Sequence, residues 1–458
     1  MAGIFKKNDI RGKVGDELTS TFAEKLGFVF VKFLAKSERQ CIAIGGDTRK
    51  STPELIAALS TGIRKAGATV YNLGIGPTPM TYFVSAHHEI IDQSIMVTGS
   101  HNPPDQNGIK ISNSTGQSYH YGNLFKFLEM DLEKFSDHYP DYDRIRPQTK
   151  EQDGTSLRQS YFDFLKGHFH FDNSFPVIID YGKGATSQFG EVLKALNLHY
   201  REFGKDADGT FNGQPPDPAK PRTFDRLKSK INSQELIAIA FDTDGDRVGF
   251  MTNTKEIISP DQVAMIFADS VKLHKDAPRV IIDVKVSKAT AEYVKSLGGQ
   301  VSLSQVGHSY IHENLINQEA DMAAELSGHY YFHDRYYGFD DGLYAALRFL
   351  ETLDTMITNK LTLAEKLQQL PKFDSTPEFR DEMSYERISK ILKATEDMIP
   401  SLGGTVTKID GLRAEFDDGW FLMRKSGTEE VLSYRVEGDT PAAKDRILET
   451  LQSIISKY

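Results

Sequence analysis

The chain has 458 residues, which is too long for one hydrophobic core, so we expect two to four domains. Its content of 39% hydrophobic and 26% charged residues is that of an ordinary globular protein, and a net charge of −10 argues against a nucleic-acid-binding surface. The single cysteine, Cys41, excludes an intrachain disulfide and a thiolate metal cluster. No run approaches the roughly 18 apolar residues of a membrane helix, and the first residues lack a signal-like pattern. We therefore expect a cytoplasmic protein that binds neither nucleic acid nor membrane.

Three short runs rich in valine and isoleucine end close to an aspartate, and this pattern is typical of buried strands. A helix-like stretch follows each run, and a second strand candidate then closes on a glycine 27, 24 and 24 residues after the three aspartates. This spacing fits one strand–helix–strand unit each time, so the sequence predicts three related α/β units. The runs and their aspartates are residues 42–44 with Asp47, 177–179 with Asp180, and 280–282 with Asp283.

A third apolar stretch in each unit leads into a polar loop, at residues 98–103, 242–247 and 325–329. Parallel α/β units gather their functional loops at the carboxyl ends of the strands, so three packed units can aim three different loops at one cleft.

The pattern changes from about residue 367, where the sequence predicts a separate α+β domain. The dipeptide Asp417-Asp418 before Gly419 is a hairpin signal. The helix candidates are 385–398 and 441–457, and the strand candidates are 405–409, 412–416, 419–423 and 431–436.

The loop at residues 98–103 reads Thr-Gly-Ser-His-Asn-Pro and follows a strand candidate. It places the hydroxyl of Ser100 beside the imidazole of His101 on a turn, and a serine in such a place can carry a transferred group covalently. A turn without chemistry often has the same glycine, serine and proline content, so this loop alone leaves both interpretations open.

The loop after the second unit places three carboxylates, Asp242, Asp244 and Asp246, within five positions. Alternation along an extended loop would point them the same way, and a hard divalent cation such as Mg²⁺ would relieve their repulsion. A calcium-binding EF-hand loop is excluded, because its sixth and twelfth positions fall on Arg247 and Asn253 instead of glycine and glutamate. A solvated acidic turn stays open as the alternative.

Two further loops suit a phosphorylated sugar. Residues 424–429, Arg-Lys-Ser-Gly-Thr-Glu, combine cations, hydroxyls and a glycine, as a phosphate cradle does, although a plain surface turn stays open. They lack the spacing of a Walker loop, and so do residues 45–51, where Arg49 stands at a glycine position. Glu325 and Ser327 can hold vicinal hydroxyls of a sugar, and a helix cap is the alternative.

Together and in this order, the four loops at 98–103, 242–247, 325–329 and 424–429 resemble the α-D-phosphohexomutase superfamily, and within it the bacterial phosphomannomutase/phosphoglucomutase branch. The resemblance spans the chain from the Asp-Ile-Arg-Gly segment at residues 9–12 to the 424–429 loop. It implies an α/β fold of three related domains with mixed sheets and a C-terminal α+β domain around a central cleft. The expected domains are 1–146, 147–252, 253–366 and 367–458.

The resemblance also implies an activity, the interconversion of hexose 6-phosphate and hexose 1-phosphate, with mannose or glucose as the sugar. The reaction would pass through a phosphoserine enzyme, with hexose 1,6-bisphosphate as intermediate and activator and one Mg²⁺ per chain. The implied partner is a phosphorylated hexose, and the implied state is a monomer. The alternatives are a phosphoglucosamine mutase and a non-catalytic phosphosugar-binding protein of the same fold.

The resemblance assigns roles by position. Ser100 resembles the serine that carries the phosphoryl group, and its oxygen completes a metal site whose other expected ligands are Asp242, Asp244 and Asp246. The residues that resemble catalytic positions around the phosphoserine and the reacting hydroxyl are Arg11, His101, Lys110, Arg247 and His308. The residues that resemble substrate-binding positions are Lys285, Glu325, Ser327, Arg424, Ser426, Gly427 and Thr428.

Some positions depart from the usual pattern of this branch. Asn8 stands where many relatives have tyrosine, and Ala324 stands where glycine is usual. Gly427 replaces an asparagine and is more typical of phosphoglucosamine mutases. Leu326 and the segment 338–342 favour the mannose and glucose branch.

Overall fold

The computed structural model describes residues 3–34, 40–425 and 430–458. Its internal contacts divide the chain into two compact units, and one division, after Leu326, falls inside the predicted sugar-binding loop. Unit 1 comprises Met1–Pro260 and Ser327–Leu361, and unit 2 comprises Asp261–Leu326 and Thr362–Tyr458.

Strands and helices alternate along most of the described chain, as the sequence predicts for α/β units. In chain order the strands are β1 (Ile10–Lys13), β2 (Cys41–Gly46), β3 (Thr69–Ile75), β4 (Gln93–Val97), β5 (Gln106–Asn113), β6 (Glu151–Asp153), β7 (Pro176–Asp180), β8 (His199–Phe203), β9 (Ile237–Phe241), β10 (Val248–Thr252), β11 (Ile257–Ile258), β12 (Arg279–Asp283), β13 (Gln300–Ser304), β14 (Met322–Ala324), β15 (Tyr330–Phe332), β16 (Asp374–Ser375), β17 (Phe379–Glu382), β18 (Thr405–Thr407), β19 (Leu412–Phe416), β20 (Gly419–Lys425) and β21 (Val431–Gly438). The helices are α1 (Ser20–Phe33), α2 (Thr52–Lys65), α3 (Thr78–His87), α4 (Lys126–Glu133), α5 (Phe135–His138), α6 (Thr155–His168), α7 (Phe189–Ala195), α8 (Asp225–Lys230), α9 (Pro260–Lys272), α10 (Lys288–Ser296), α11 (His308–Asn317), α12 (Gly342–Thr358), α13 (Leu363–Gln369), α14 (Tyr385–Met398) and α15 (Pro441–Lys457).

The first sheet of unit 1 has the strand order β1-β5-β4-β2-β3-β6. Strand β2 pairs in parallel with β3 and β4, whereas β5 runs antiparallel to both β4 and β1, so the sheet is mixed. Residues Ile42 and Ile44 of β2 are fully buried, which fits a central strand covered on both faces. Strand β6 adds to this sheet and lies beyond the domain boundary that the sequence predicts at residue 146.

The second sheet of unit 1 has the order β11-β10-β9-β7-β8. Strand β7 is parallel to β8 and β9, and β10 returns antiparallel to β9 with Val248 opposite Phe241. The three-aspartate loop therefore connects two adjacent strands at the carboxyl end of β9. Strand β11 pairs with β10 beyond the predicted boundary at residue 252.

Unit 2 contains a parallel set of strands, β13-β12-β14, and an antiparallel sheet of the order β16-β21-β20-β19-β18 with β17 paired to β21. The hairpin predicted at Asp417-Asp418 connects β19 to β20, where Phe416 pairs with Gly419. Helices α14 and α15 share a buried core with β20. The predicted α+β pattern of the C-terminal residues is confirmed. In the described residues, no helix has the length and apolar content that crossing a membrane requires.

Candidate active site

Ser100 lies in the loop after β4, at the carboxyl end of a parallel pair of strands. Its φ of +47° is in the left-handed region, which a non-glycine residue rarely adopts unless its surroundings impose it. The side chain is buried, and its Oγ lies 3.1 Å from Nδ1 of His101 and donates to Oδ2 of Asp242 across 3.1 Å. The serine is therefore held in an unusual backbone conformation beside a carboxylate of the second sheet.

Arg49 holds the Ser100 loop by its backbone. One guanidinium nitrogen, Nη2, donates to the carbonyl oxygens of Ser100 at 2.5 Å and Asn102 at 2.7 Å. The other, Nη1, donates to those of Pro103 at 2.6 Å and Gln106 at 2.9 Å. Sequence reasoning missed this residue, because it tested residues 45–51 only against the Walker pattern.

Asp47, the aspartate after β2, completes this support. Its Oδ2 accepts hydrogen bonds from Thr98 Oγ1 at 2.8 Å and from the Gly99 backbone at 3.3 Å, and it lies 3.1 Å from Arg49 Nε. Both members of the ion pair are buried, so the pair is weakly screened and geometrically constrained. The position of Asp47 at a strand end was the sequence signal that pointed to it.

The structure brings Asp242, Asp244 and Asp246 together, with one oxygen of each within 4.8 Å of the others. The loop bends, in contrast to the extended alternation expected from the sequence. Gly245 has φ of +72°, and a Cβ atom there would lie 2.4 Å from Cγ2 of Thr186, so a side chain is excluded at the bend. Oδ1 of Asp242 accepts a hydrogen bond from the Gly245 backbone at 3.0 Å, which stabilises the bend.

Lys110 on β5 partly neutralises these carboxylates. Its Nζ lies 3.2 Å from Oδ2 of Asp244 and also contacts Oδ2 of Asp246. Thr78 donates to the same Asp244 oxygen across 2.6 Å. The remaining oxygens, Oδ1 of Asp244 and Oδ1 of Asp246, are buried and have no hydrogen-bond partner within residues 3–34, 40–425 and 430–458. Buried carboxylate oxygens with unused acceptor capacity are suited to a metal ion, so the loop can hold one.

Two of these aspartates, Asp242 and Asp246, have pKa values shifted in opposite directions. Burial raises the pKa of Asp242 well above its usual value, and the charges of Asp246 and Asp244 raise it further. Burial also acts to raise the pKa of Asp246, but Lys110 and His329 outweigh this effect and hold that pKa well below its usual value. Asp242 therefore keeps a proton more readily than Asp246 when no cation is bound.

Two arginines flank Ser100. Arg11 on β1 donates to Oδ1 of Asn102 across 2.7 Å and to Oδ2 of Asp9 across 2.7 Å. Arg247, which follows the metal loop, lies with its Nε 3.9 Å from Oδ2 of Asp242. Both cations are positioned to neutralise an anionic group on the serine.

The charge of Arg247, then burial and the charge of Arg11, lower the pKa of His101 well below its usual value. His101 is therefore neutral at neutral pH, and its Nδ1 can exchange a proton with the neighbouring Ser100 hydroxyl.

His329 and Asp340 also belong to this region, although sequence reasoning assigned them no role. Nε2 of His329 lies 3.5 Å from Oδ1 of Asp246 and 3.7 Å from Oδ2 of Asp340. Nδ1 of His329 is 2.8 Å from Oγ of Ser327. The sequence features that could have pointed to His329 and Asp340 are the Ser-Gly-His end of the 325–329 loop and the paired aspartates within 338–342.

In unit 2, Asp283 at the end of β12 organises the neighbouring loops. Its Oδ1 accepts from the Lys285 backbone at 2.6 Å, and its Oδ2 accepts from the Leu326 backbone at 3.0 Å. The predicted substrate-binding residues Lys285 and Glu325 therefore lie on loops joined by one carboxylate.

The other predicted residues of unit 2 lie at the starts and ends of elements. Oε2 of Glu325 accepts a hydrogen bond from the Gly307 backbone at 3.2 Å, next to His308, the first residue of α11. Arg424 on β20 forms an ion pair with Asp410, with 2.9 Å between Nη2 and Oδ2. Three predicted phosphate-binding residues lie outside the described part of the chain: Ser426, Gly427 and Thr428.

The predicted residues thus form one group in each unit. The group in unit 1 consists of Ser100, His101, Arg11, Lys110, Arg247, Asp242, Asp244, Asp246 and, through His329, Ser327. The described group in unit 2 consists of Lys285, His308, Glu325 and Arg424.

Family models of phosphoglucomutase/phosphomannomutase match almost the whole chain. The three alpha/beta/alpha domains I, II and III match residues 2–121, 159–255 and 259–373, and the C-terminal domain matches residues 378–453. The chain belongs to the phosphoglucomutase/phosphomannomutase family.

Individual members of this family are similar over nearly their full length. The phosphoglucomutase of Neisseria gonorrhoeae is 36% identical, with 99% of this chain and 96% of that protein covered. The phosphomannomutase/phosphoglucomutase of Pseudomonas aeruginosa is 32% identical, with 97% and 94% covered. A solved structure of a family protein from Burkholderia thailandensis superimposes with a TM-score of 0.86 at 32% identity, covering 99% of this chain and 97% of that one.

Membership in the phosphoglucomutase/phosphomannomutase family confirms the resemblance and the fold class that the sequence predicts. The chain is a phosphohexomutase, an enzyme that interconverts hexose phosphates by intramolecular phosphoryl transfer.

Proposed function

We propose that Ser100 carries the transferred phosphoryl group. The observation that carries this proposal is the position of Ser100. Its Oγ lies 3.1 Å from Asp242 Oδ2, and its backbone has a left-handed conformation. A phosphoserine there would bring about two negative charges to a site that already holds three aspartates. Arg11, Lys110 and Arg247 supply the positive charges that make this load tolerable.

The proposed reaction has two transfers. In the first, the free hydroxyl oxygen of a hexose 1- or 6-phosphate forms a bond to the phosphorus, and the bond between phosphorus and Ser100 Oγ breaks. The sugar hydroxyl loses a proton and the serine oxygen regains one, and we propose that the neutral imidazole of His101 relays a proton to the serine oxygen and ends the step neutral. After the hexose 1,6-bisphosphate has turned around, Ser100 Oγ forms a bond to the phosphorus of the other phosphoryl group. The bond from that phosphorus to the sugar oxygen breaks, the serine hydroxyl loses a proton and the sugar oxygen regains one. Phosphoryl transfer depends mainly on positioning and electrostatic stabilisation, which buried cations provide.

We propose Mg²⁺ as the ion of the three-aspartate loop, held by Asp242, Asp244, Asp246 and an oxygen of the Ser100 group. The donor set supports this choice, because Mg²⁺ prefers oxygen ligands and two carboxylate oxygens of the loop accept no hydrogen bond from the described residues. When bound, the ion would neutralise charge on the transferred phosphoryl group.

We propose that the substrate-binding residues are those that the resemblance to the family assigns. Glu325 and Ser327 would accept hydrogen bonds from sugar hydroxyls. Lys285 and His308 would lie near the reacting hydroxyl, and Arg424 would bind the phosphate group that is not transferred. Ser426, Gly427 and Thr428 are proposed to complete the phosphate clamp. A clamp of this kind contacts only groups that the 1- and 6-phosphates share. It therefore suits a substrate that reacts in two orientations.

The mass of the purified protein tests whether Ser100 carries a phosphoryl group. We expect a fraction heavier by one phosphoryl group, absent from Ser100→Ala, and loss of mutase activity in that variant. A Ser100→Ala enzyme with full interconversion of glucose 1- and 6-phosphate would refute the proposal. Release of inorganic phosphate in place of isomerisation would instead indicate a phosphatase.

The sugar preference stays a prediction, with mannose and glucose ahead of glucosamine. Comparison of kcat/KM for the 1-phosphates of the three sugars tests it directly. The monomeric state, the cytoplasmic location and the domain limits 1–146, 147–252, 253–366 and 367–458 also stay predictions.

A further inference from the structure

Asp410, in the turn before β19, joins two loops of unit 2 through one oxygen. Its Oδ2 lies 2.9 Å from Nη2 of Arg424 and accepts a hydrogen bond from the Val306 backbone at 3.0 Å. The side chains of Asp410 and Arg424 are only 16% and 20% exposed, so the ion pair is largely shielded from solvent. A single shielded oxygen therefore fixes a guanidinium on β20 relative to the turn after β13.

The turn that Asp410 holds is the one that begins α11. The next backbone N–H after Val306, that of Gly307, donates to Oε2 of Glu325. The residue after Gly307 is His308, at the first position of α11. The turn is thus held on one side by Asp410 and on the other by Glu325, the residue proposed to bind the sugar.

A second set of contacts joins the same two parts of unit 2. Arg413 on β19 donates from Nη1 to the carbonyl oxygen of Val284 across 2.6 Å, and Arg435 on β21 donates to that of Lys285. The ring of Trp420 lies beside both arginines, with its centroid 3.9 Å and 6.0 Å from their guanidinium carbons, and is fully buried. The loop that carries Lys285 is therefore also fixed to the antiparallel sheet.

Arg424 retains a hydrogen-bond donor for a ligand. Its Nε is buried and has no hydrogen-bond partner among the described residues. Since Asp410 engages the other end of the guanidinium, it orients the planar group without consuming this donor. An arginine held in this way is pre-organised for a phosphate oxygen.

We propose that Asp410 is a positioning residue of the phosphohexomutase site. It sets the spacing between the phosphate-binding Arg424 and the sugar-binding turn at Glu325 and His308. The inference rests on the proposed function, because Arg424, Glu325 and His308 act on substrate only there. One fixed spacing would serve both orientations of the sugar, so loss of Asp410 should weaken the 1-phosphate and the 6-phosphate alike.

The test measures binding apart from turnover. Glucose 1-phosphate and glucose 6-phosphate are titrated calorimetrically into Ser100→Ala, Ser100→Ala/Asp410→Ala and Ser100→Ala/Asp410→Asn. We expect Asp410→Ala to weaken both ligands about tenfold, the scale of one charge-assisted hydrogen bond. Asp410→Asn should recover part of the loss, because its amide oxygen still accepts from the Val306 N–H. The matched control is Ser100→Ala/Asp418→Asn, since the side chain of Asp418 is 47% exposed and pairs with Arg446 at the hairpin.

In the wild-type background, Asp410→Ala should raise KM for both substrates while the phosphorylated fraction of Ser100 stays unchanged. Unchanged affinities in Asp410→Ala would overturn the inference, as would an equal loss in Asp418→Asn. A change confined to one of the two phosphates would also overturn it. If Asp410→Ala does not fold, affinities of Ser100→Ala/Asp410→Asn equal to those of Ser100→Ala would decide against the inference. Failure of the proposed function has a different signature, because Ser100 would then carry no phosphoryl group in the wild-type protein.

Discussion

The guanidinium of Arg49 donates a hydrogen bond to the carbonyl oxygen of Ser100, with 2.5 Å between Nη2 and the oxygen. The two residues are 51 positions apart, and Arg49 is buried, with its charge balanced by Asp47. The ring of Phe211 covers the same guanidinium, 5.2 Å from its central carbon. The conformation of the proposed phosphoryl carrier thus depends on a buried ion pair that takes no part in the chemistry.

We expect Arg49→Lys to lower kcat by about 100-fold, because an ammonium group cannot reach four carbonyl oxygens and a small misplacement of the serine is costly. Stability should also fall by about 3–5 kcal/mol if the buried pair is broken. Steady-state kinetics and thermal unfolding measure the two effects. The control is Arg144→Lys, at an exposed surface pair. A kcat within twofold of wild type would contradict the role given to Arg49.

Cation binding should release a proton from Asp242. Burial raises its pKa well above the usual value, so the carboxyl is protonated in the cation-free protein over a wider pH range than a solvent-exposed aspartate. A divalent cation binds the ionised form, and its apparent affinity should therefore fall as the pH falls. Calorimetric titration of Mg²⁺ in buffers of different ionisation enthalpy measures the number of protons released. An Asp242→Asn protein that releases the same number would contradict this assignment.

Removal of Arg247 should raise the pKa of His101. The charge of Arg247 is the largest cause of its lowered pKa, followed by burial and by Arg11. The Arg247→Ala variant should shift the titration of His101 to higher pH in NMR spectra, with His101→Gln used to assign the signal. Arg222→Ala, at an exposed arginine, is the matched control. An unmoved titration midpoint would contradict the role given to Arg247 in lowering the pKa of His101.

Asp341, the N-cap of α12, should make stability depend on pH. Burial raises its pKa to about 7, although the hydroxyls of Tyr161 and Tyr336 donate to the carboxylate. An unfolded aspartate has a pKa of about 3.9, so between about pH 4 and 7 the folded state binds more protons than the unfolded state. This group therefore favours folding most at the acidic end of the window and loses that contribution as the pH rises to 7.

The Asp341→Asn variant lacks this titration. The melting temperature of wild type minus that of Asp341→Asn should accordingly fall between pH 5 and pH 7, because only wild type loses the contribution of the protonated carboxyl. Asp143→Asn, at an exposed aspartate, should show the same small difference from wild type at both pH values. A melting temperature of wild type that rises relative to that of Asp341→Asn towards pH 7 would have the wrong sign and would contradict the assignment.

Much of the fold was predictable because the informative patterns are local. The runs before Asp47, Asp180 and Asp283 form β2, β7 and β12, and the turn at Asp417 and Asp418 connects β19 to β20. Valine and isoleucine runs of this length have few alternatives to a buried strand, and an aspartate pair before glycine favours a hairpin.

The supporting residues were not predictable in the same way. Arg49 binds backbone oxygens. Because every residue type has such an oxygen, these contacts cannot be recognised from the sequence of the Ser100 loop. Asp410 joins Val306 and Arg424 across the tertiary structure, and no spacing in the sequence records that contact. The bend at Gly245 likewise depends on the closeness of Thr186, which is 59 positions away.

The contacts of Arg49 with the Ser100 loop go to carbonyl oxygens and to no side chain. Every residue type offers that oxygen, so the residue at position 100 or 101 can be exchanged while its support stays intact. Gly99 is an exception, because a Cβ there would lie 2.6 Å from the guanidinium carbon. A different reactive group, such as a thiol at position 100, can therefore be introduced into this loop without redesign of the residues that support it.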